Sequence, residues 1–173
     1  SGVLDLKSQL ETSQIDTRNH NVQKEEKEKE IVNELILDHD TDGLIHFLHY
    51  NNFEYIEQHE KLVQYAYIFK HKRNGKITGY TWLYEYADEP FTYGVHMCID
   101  KREQGKVFTR KKVNQFYETC YNLGAKVLEV HSAPKDLLKL YCRIGFKKTN
   151  HETVRLYLPY EWRKKWDHQQ KKL

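Results

Sequence analysis

The stretch from Val95 to Phe146 constrains the fold more than any other part of the chain. Val95-His96-Met97-Cys98-Ile99-Asp100 alternates as a strand, Lys101-Arg102-Glu103-Gln104-Gly105 is a polar loop, and a basic amphipathic helix follows from about Lys106. Lys126 to His131 alternates again as a short strand, and a second short helix ends at Gly145-Phe146. A strand, a helix and a returning strand make a right-handed crossover, so this part of the sheet is expected to be parallel. A strand that feeds a glycine-containing loop at a helix N-terminus is also a natural anion site, with unpaired amides and the positive end of the helix dipole converging there. Lys106, Arg110, Lys111 and Lys112 place charge where phosphates would want it. The same four residues also suit the solvated face of an amphipathic helix.

The remaining elements are read around this unit. Residues 1–30 form a polar arm, with Val3, Leu6 and Leu10 at helical spacing and a mixed-charge run from Gln23 to Glu30. Ile31 to Asp38 is expected to be helical, and Leu44 to Tyr50 to be a second helix after the break at Asp40-Thr41-Asp42-Gly43. That break lacks the later ligands of a calcium loop and is read as a helix cap or turn. From Tyr65 the period changes to two. Tyr65 to Phe69, Ile77 to Tyr86 and Phe91 to Asp100 read as an antiparallel meander, with a hairpin at Asn74-Gly75. In the helix after the loop, Val113, Phe116, Tyr117 and Cys120 share a face and Gly124 is the stop. Ser132 is read as capping the next helix, and Val154 to Leu158 is a last strand before a basic tail with Trp162 and Trp166. The expected fold is α+β: a mixed sheet, meander first and crossover second, flanked by helices. The divisions are an arm over 1–30, a domain over 31–158 and a tail over 159–173.

With 173 residues the chain is long enough for one substantial core. A net charge of +3 is too small to argue for nucleic acid, and a tail helix packed by its tryptophans accounts for Trp162 and Trp166 better than base stacking does. Cys98, Cys120 and Cys142 lie within apolar patterns and read as free thiols in a reducing compartment. The chain has no apolar run of membrane-spanning length, and a Ser at position 1 reads as following a removed Met, so a soluble cytoplasmic protein is expected.

At this level of detail the chain resembles the GNAT superfamily of acyl-CoA N-acyltransferases over roughly Ile31 to Leu158. The strand Val95-x-Met97-x-Ile99 followed by Arg102-Glu103-Gln104-Gly105-Lys106-Val107 is similar to the family's coenzyme A motif. Tyr141-Cys142-Arg143-Ile144-Gly145-Phe146 is similar to its later Tyr-x-x-x-Gly-Phe motif. Two positions depart from the pattern. Val107 stands where the family has Gly or Ala, and Pro134 and Leu137 stand where it has Asn and Ala. Val107 either crowds the cofactor or turns into the core.

The resemblance implies acetyl-CoA as co-substrate, held through Met97, Cys98, Ile99, Arg102, Glu103, Gln104, Gly105, Lys106, Val107 and Arg110. It implies an amine acceptor, small molecule or protein, attacked directly in a ternary complex. Tyr141 takes the place of the acid that protonates the departing thiolate, and backbone amides near Met97 face the thioester carbonyl. His96 and Glu85 are the candidates for the base, with Tyr93, His131 and Glu129 on neighbouring strands. A protein partner would meet residues 1–30 or form a homodimer, and no membrane is expected. The rival reading is a GNAT-fold binding or structural subunit that has lost its cofactor site.

Overall fold

The computed structural model describes residues 31–150 and 152–162. The expectations placed on residues 1–30, on His151 and on the tail from 163 onward, Trp166 included, lie outside them.

Seven strands form one sheet in the order β1-β2-β3-β4-β5-β7-β6. They are β1 (Asn33–Asp38), β2 (Tyr67–Arg73), β3 (Lys76–Glu85), β4 (Thr92–Ile99), β5 (Val127–Val130), β6 (Lys147–Lys148) and β7 (Val154–Tyr157). The helices are α1 (Thr41–Tyr50), α2 (Ile56–Leu62), α3 (Arg110–Asn122) and α4 (Lys135–Arg143). β2, β3 and β4 are the expected meander, and β4 and β5 pair in parallel as the crossover requires. At the hairpin, Asn74 and Gly75 have φ of 51° and 79°, the double left-handed turn that matches strand twist.

Alternate residues of each strand feed two cores. Phe69, Leu83, Val95, Met97 and Leu128 face α3 and α4, where they meet Val113, Tyr117, Tyr141 and Phe146. Ile68, Tyr80, Trp82 and Cys98 face the other way, against Leu44 and Leu48 of α1. Burying each of those two leucines contributes about 2 kcal/mol before entropy is counted. Asp40 caps α1, its carboxylate accepting from the Gly43 amide at 2.9 Å, as the cap reading of that turn expects.

Four expectations are corrected. Residues from Asn33 to Asp38 form an edge strand, not a helix, paired antiparallel with β2 from Asn33–Arg73 to Asp38–Ile68. So short a run cannot hold a helix alone, whereas the open edge of β2 offers it a full ladder. The helix after the loop begins at Arg110, because Thr109 is the cap that accepts from the Lys112 amide at 3.2 Å. Pro134, not Ser132, stands at the start of α4, and Ser132 has φ of 54°. Cys98 and Cys120 are buried free thiols, but Cys142 is an exposed one.

Candidate active site

Hydrogen bonding along β4 sets the geometry of the site. The Tyr86 amide donates to the Thr92 carbonyl and the Asp100 amide to the Thr78 carbonyl, both at 2.9 Å. Even-numbered residues of β4 therefore exchange bonds with β3, and the peptide groups of Tyr93, Val95, Met97 and Ile99 point toward β5. β5 answers only at Thr92–Val127, Tyr93–Leu128 and Gly94–Glu129. Past that rung the strands part, and the peptide groups of Met97 and Ile99 face the gap. A cleft of about 510 Å³ opens there, walled by Met97 and Ile99 on β4, by Gln104, Gly105 and Val107 on the loop, and by Pro134 and Leu137 of the α4 segment.

A side-chain cluster holds the closed end of this gap. Glu129 accepts from the Tyr86 hydroxyl at 3.0 Å and from Arg155 Nε at 2.5 Å, and Arg155 also reaches Glu89 at 3.0 Å. Gly94 makes the cluster fit, since a Cβ there would lie 2.8 Å from the Tyr86 ring. Both oxygens of Glu129 are engaged in this strand-closing cluster.

The loop is built to turn its backbone outward. Asp100 caps a 3₁₀ turn over Lys101–Glu103, accepting from the Arg102 amide at 3.0 Å. Gly105 then takes φ of +85°, a conformation that disfavours any side chain even though a Cβ would meet nothing within 4 Å. Val107 is 2% exposed and packs inward, so the branched side chain does not plug the cleft it borders. Lys112 differs from the expected phosphate-facing role. Its ammonium is buried and donates to the Val107 carbonyl at 2.9 Å and to Asn33 Oδ1 at 2.8 Å. Burial moves its pKa down to about 8.

Of the expected cofactor contacts, Met97, Ile99, Gln104, Gly105 and Val107 are brought to the cleft. Lys106 is exposed beside them, and Arg110 opens α3, its Nη2 4.0 Å from Glu161. Three side chains turn elsewhere. Arg102 bonds the Tyr50 hydroxyl at 3.3 Å, Glu103 sits 3.7 Å from Arg73, and Cys98 packs behind the sheet in the α1 core.

The titratable candidates divide between the faces of the sheet. His96 pairs with Trp82 and faces α2, while Tyr141 on α4 lies in the opposite core against Phe146. Glu85 pairs with Tyr93 at the far end of β3, in phase with Leu83, and is exposed. It does not join His96. Tyr93 itself is buried, and His131 is exposed, with Nδ1 3.2 Å from the Thr153 hydroxyl. Burial, aided by neighbouring His59, pushes the pKa of His96 down to about 4. Burial raises the Tyr141 phenol above its usual range, so it stays protonated at neutral pH.

His59 escaped the sequence reading. It is buried on α2, with its ring 4.7 Å from that of His96. Trp82 Nε1 donates to its Nδ1 at 3.2 Å and the Tyr84 hydroxyl lies 2.9 Å from the same atom. An indole can only donate, so the proton of His59 is on Nε2. No spacing in the sequence links a histidine on α2 to one on β4.

Comparison with known proteins agrees with this geometry. An acetyltransferase (GNAT) domain model matches residues 21–161. Among solved structures, an acetyltransferase of the GNAT family from Staphylococcus aureus is 15% identical, with 73% of this chain and 99% of that one covered and a TM-score of 0.54. A Bacillus subtilis acetyltransferase in complex with CoA is 18% identical (75% and 98% covered, TM-score 0.53). The spermidine/spermine N-acetyltransferase of Vibrio cholerae is 15% identical (75% and 94% covered, TM-score 0.55). A search of curated protein sequences returns no match. A mixed sheet that splits after its fourth strand, a loop turned outward at the split and a matching domain model together place this chain in the GNAT acetyltransferase family.

Proposed function

We propose that the protein is an acetyl-CoA-dependent N-acetyltransferase acting by direct transfer to a primary amine. The observation that carries this is the gap between β4 and β5, which runs into the Gly105 loop as one cleft. The residues present fit the cofactor: an extended pantetheine arm suits the unpaired peptide edge of Met97 and Ile99, and a diphosphate suits the amides of the loop and the start of α3. Bound acetyl-CoA supplies the activated acyl carbon and a thiolate leaving group. The chain supplies position and protons.

Base and acid then stand on opposite sides of the strand that borders the thioester. We read the amine as entering from the α2 side, where His96 would act as base, and the Met97 amide, which faces the gap, would donate to the carbonyl oxygen as it gains charge. A ring as hard to protonate as His96 takes a proton poorly from a free ammonium. It would instead take the amine proton once attack on the thioester has made that N–H more acidic. Tyr141, buried in the core on α4, would be the group that protonates the departing sulfur. Glu85, exposed and across the sheet from His96, has no part in this scheme.

An acetylation screen over polyamines, aminoglycosides, amino acids and peptides, read by thiol release, tests the proposal. Turnover with at least one amine class is expected, and Tyr141→Phe should lower it by about 10²-fold with coenzyme A affinity unchanged. Coenzyme A binding without transfer to any amine would leave a binding module and overturn the transferase reading.

A further inference from the structure

Lys112 is an odd residue to find buried at the first turn of a helix. The positive end of the dipole disfavours a cation there, and no carboxylate among the described residues pairs with it. It is 3% exposed, and among the described residues it donates to the Val107 carbonyl and to Asn33 Oδ1. Asn33 at the start of β1 returns to the same loop: its Nδ2 donates to the Lys106 carbonyl at 3.3 Å and lies 3.5 Å from that of Val107. Two consecutive carbonyls are thus held by side chains of two different elements, that of Lys106 by an exposed bond from Asn33 and that of Val107 by a buried one from Lys112. In a trans peptide the N–H points opposite to the C=O. Fixing the carbonyls of Lys106 and Val107 toward Lys112 and Asn33 therefore aims the amides of Val107 and Phe108 outward, and both of these residues border the cleft.

We infer that Lys112 and Asn33 are positioning residues for diphosphate binding, orienting the Val107 and Phe108 amides from beneath the loop without touching the ligand. This deepens the coenzyme A reading and rests on it. The placement gives an expensive buried group its partners, the Val107 carbonyl and Asn33, while the ring of His71 on β2 is held neutral by its own burial and by the Lys112 charge beside it. Val107 also becomes intelligible. With its peptide clamped from below, a branched side chain packs into the core while the backbone still meets the cleft.

The test titrates coenzyme A into wild type, Lys112→Met, Asn33→Ala and the double variant, with urea midpoints and amide hydrogen exchange over residues 105–108 measured on each free protein. Each single variant is expected to bind about tenfold more weakly, the scale on which loss of outer support acts at a preorganised site. The double variant should be no worse than the weaker single, because both act on one pair of peptides. Exchange over 105–108 should quicken while the Met97 amide is unchanged. Wild-type affinity in folded variants would overturn the inference, as would lost affinity with unaltered exchange over 105–108. If Lys112→Met does not fold, Asn33→Ala decides by itself. Failure of wild type to bind coenzyme A would remove the underlying reading instead, which separates the two failures.

Discussion

His96 and His71 tie the chemistry of single residues to the stability of the whole. Both rings are neutral in the fold, with pKa moved down to about 4 and about 3 by burial, whereas the unfolded chain protonates them near 6.5. Between about pH 6.5 and pH 4 the unfolded state binds more protons, so stability is intact above 6.5 and falls as pH drops through that window. Each ring contributes on the order of 1 kcal/mol per pH unit once its unfolded counterpart is charged. Urea midpoints measured from pH 7 to pH 5 should fall, and His71→Gln should flatten the slope; an unchanged slope would mean that His71 is not buried neutral. Lys112 has the complementary behaviour. Its lowered pKa makes burial costly below pH 8, and that cost is relieved as pH rises toward 10.5.

At the scale of elements, the split between β4 and β5 depends on what closes its lower end. Glu129 and Arg155 face each other across β5 and β7, and Tyr86 covers Gly94 at the last rung. Removing Arg155 leaves a buried carboxylate without its cation. Arg155→Met is expected to cost about 3 kcal/mol, and Glu129→Gln in the same chain should recover much of it. Denaturant unfolding of the two variants checks this; a loss under half a kilocalorie (roughly the size of a surface pair) would make the bridge incidental. The split itself was not legible in the sequence. Alternation located β4 and β5, but where a parallel pair stops depends on the Gly94–Tyr86 contact and on β7, which arrives after two intervening elements.

Across the whole molecule, local signals predicted what local physics decides. The meander, the Asn74-Gly75 turn, the apolar face of α3 and the crossover follow from period, turn chemistry and chain connectivity. What failed was settled by distant partners. β1 is a strand because β2 offers an edge, and Lys112 turns inward to meet Asn33, far earlier in the chain. Trp162 packs on the domain, its indole donating to the Arg143 carbonyl at 2.9 Å and its main chain bonded to Asn114, but residues 159–162 are not the start of the expected tail helix. No helix among the described residues is long and apolar enough to cross a membrane. The central claim is that the Gly105 loop and the gap beside β4 together form a coenzyme A site. Calorimetric titration of coenzyme A into wild type and Gly105→Glu tests it most directly. Micromolar binding by wild type, abolished by a carboxylate placed where the φ is left-handed and the diphosphate would lie, is the expected result. No heat from wild type at millimolar ligand, or equal affinity in the variant, would contradict it.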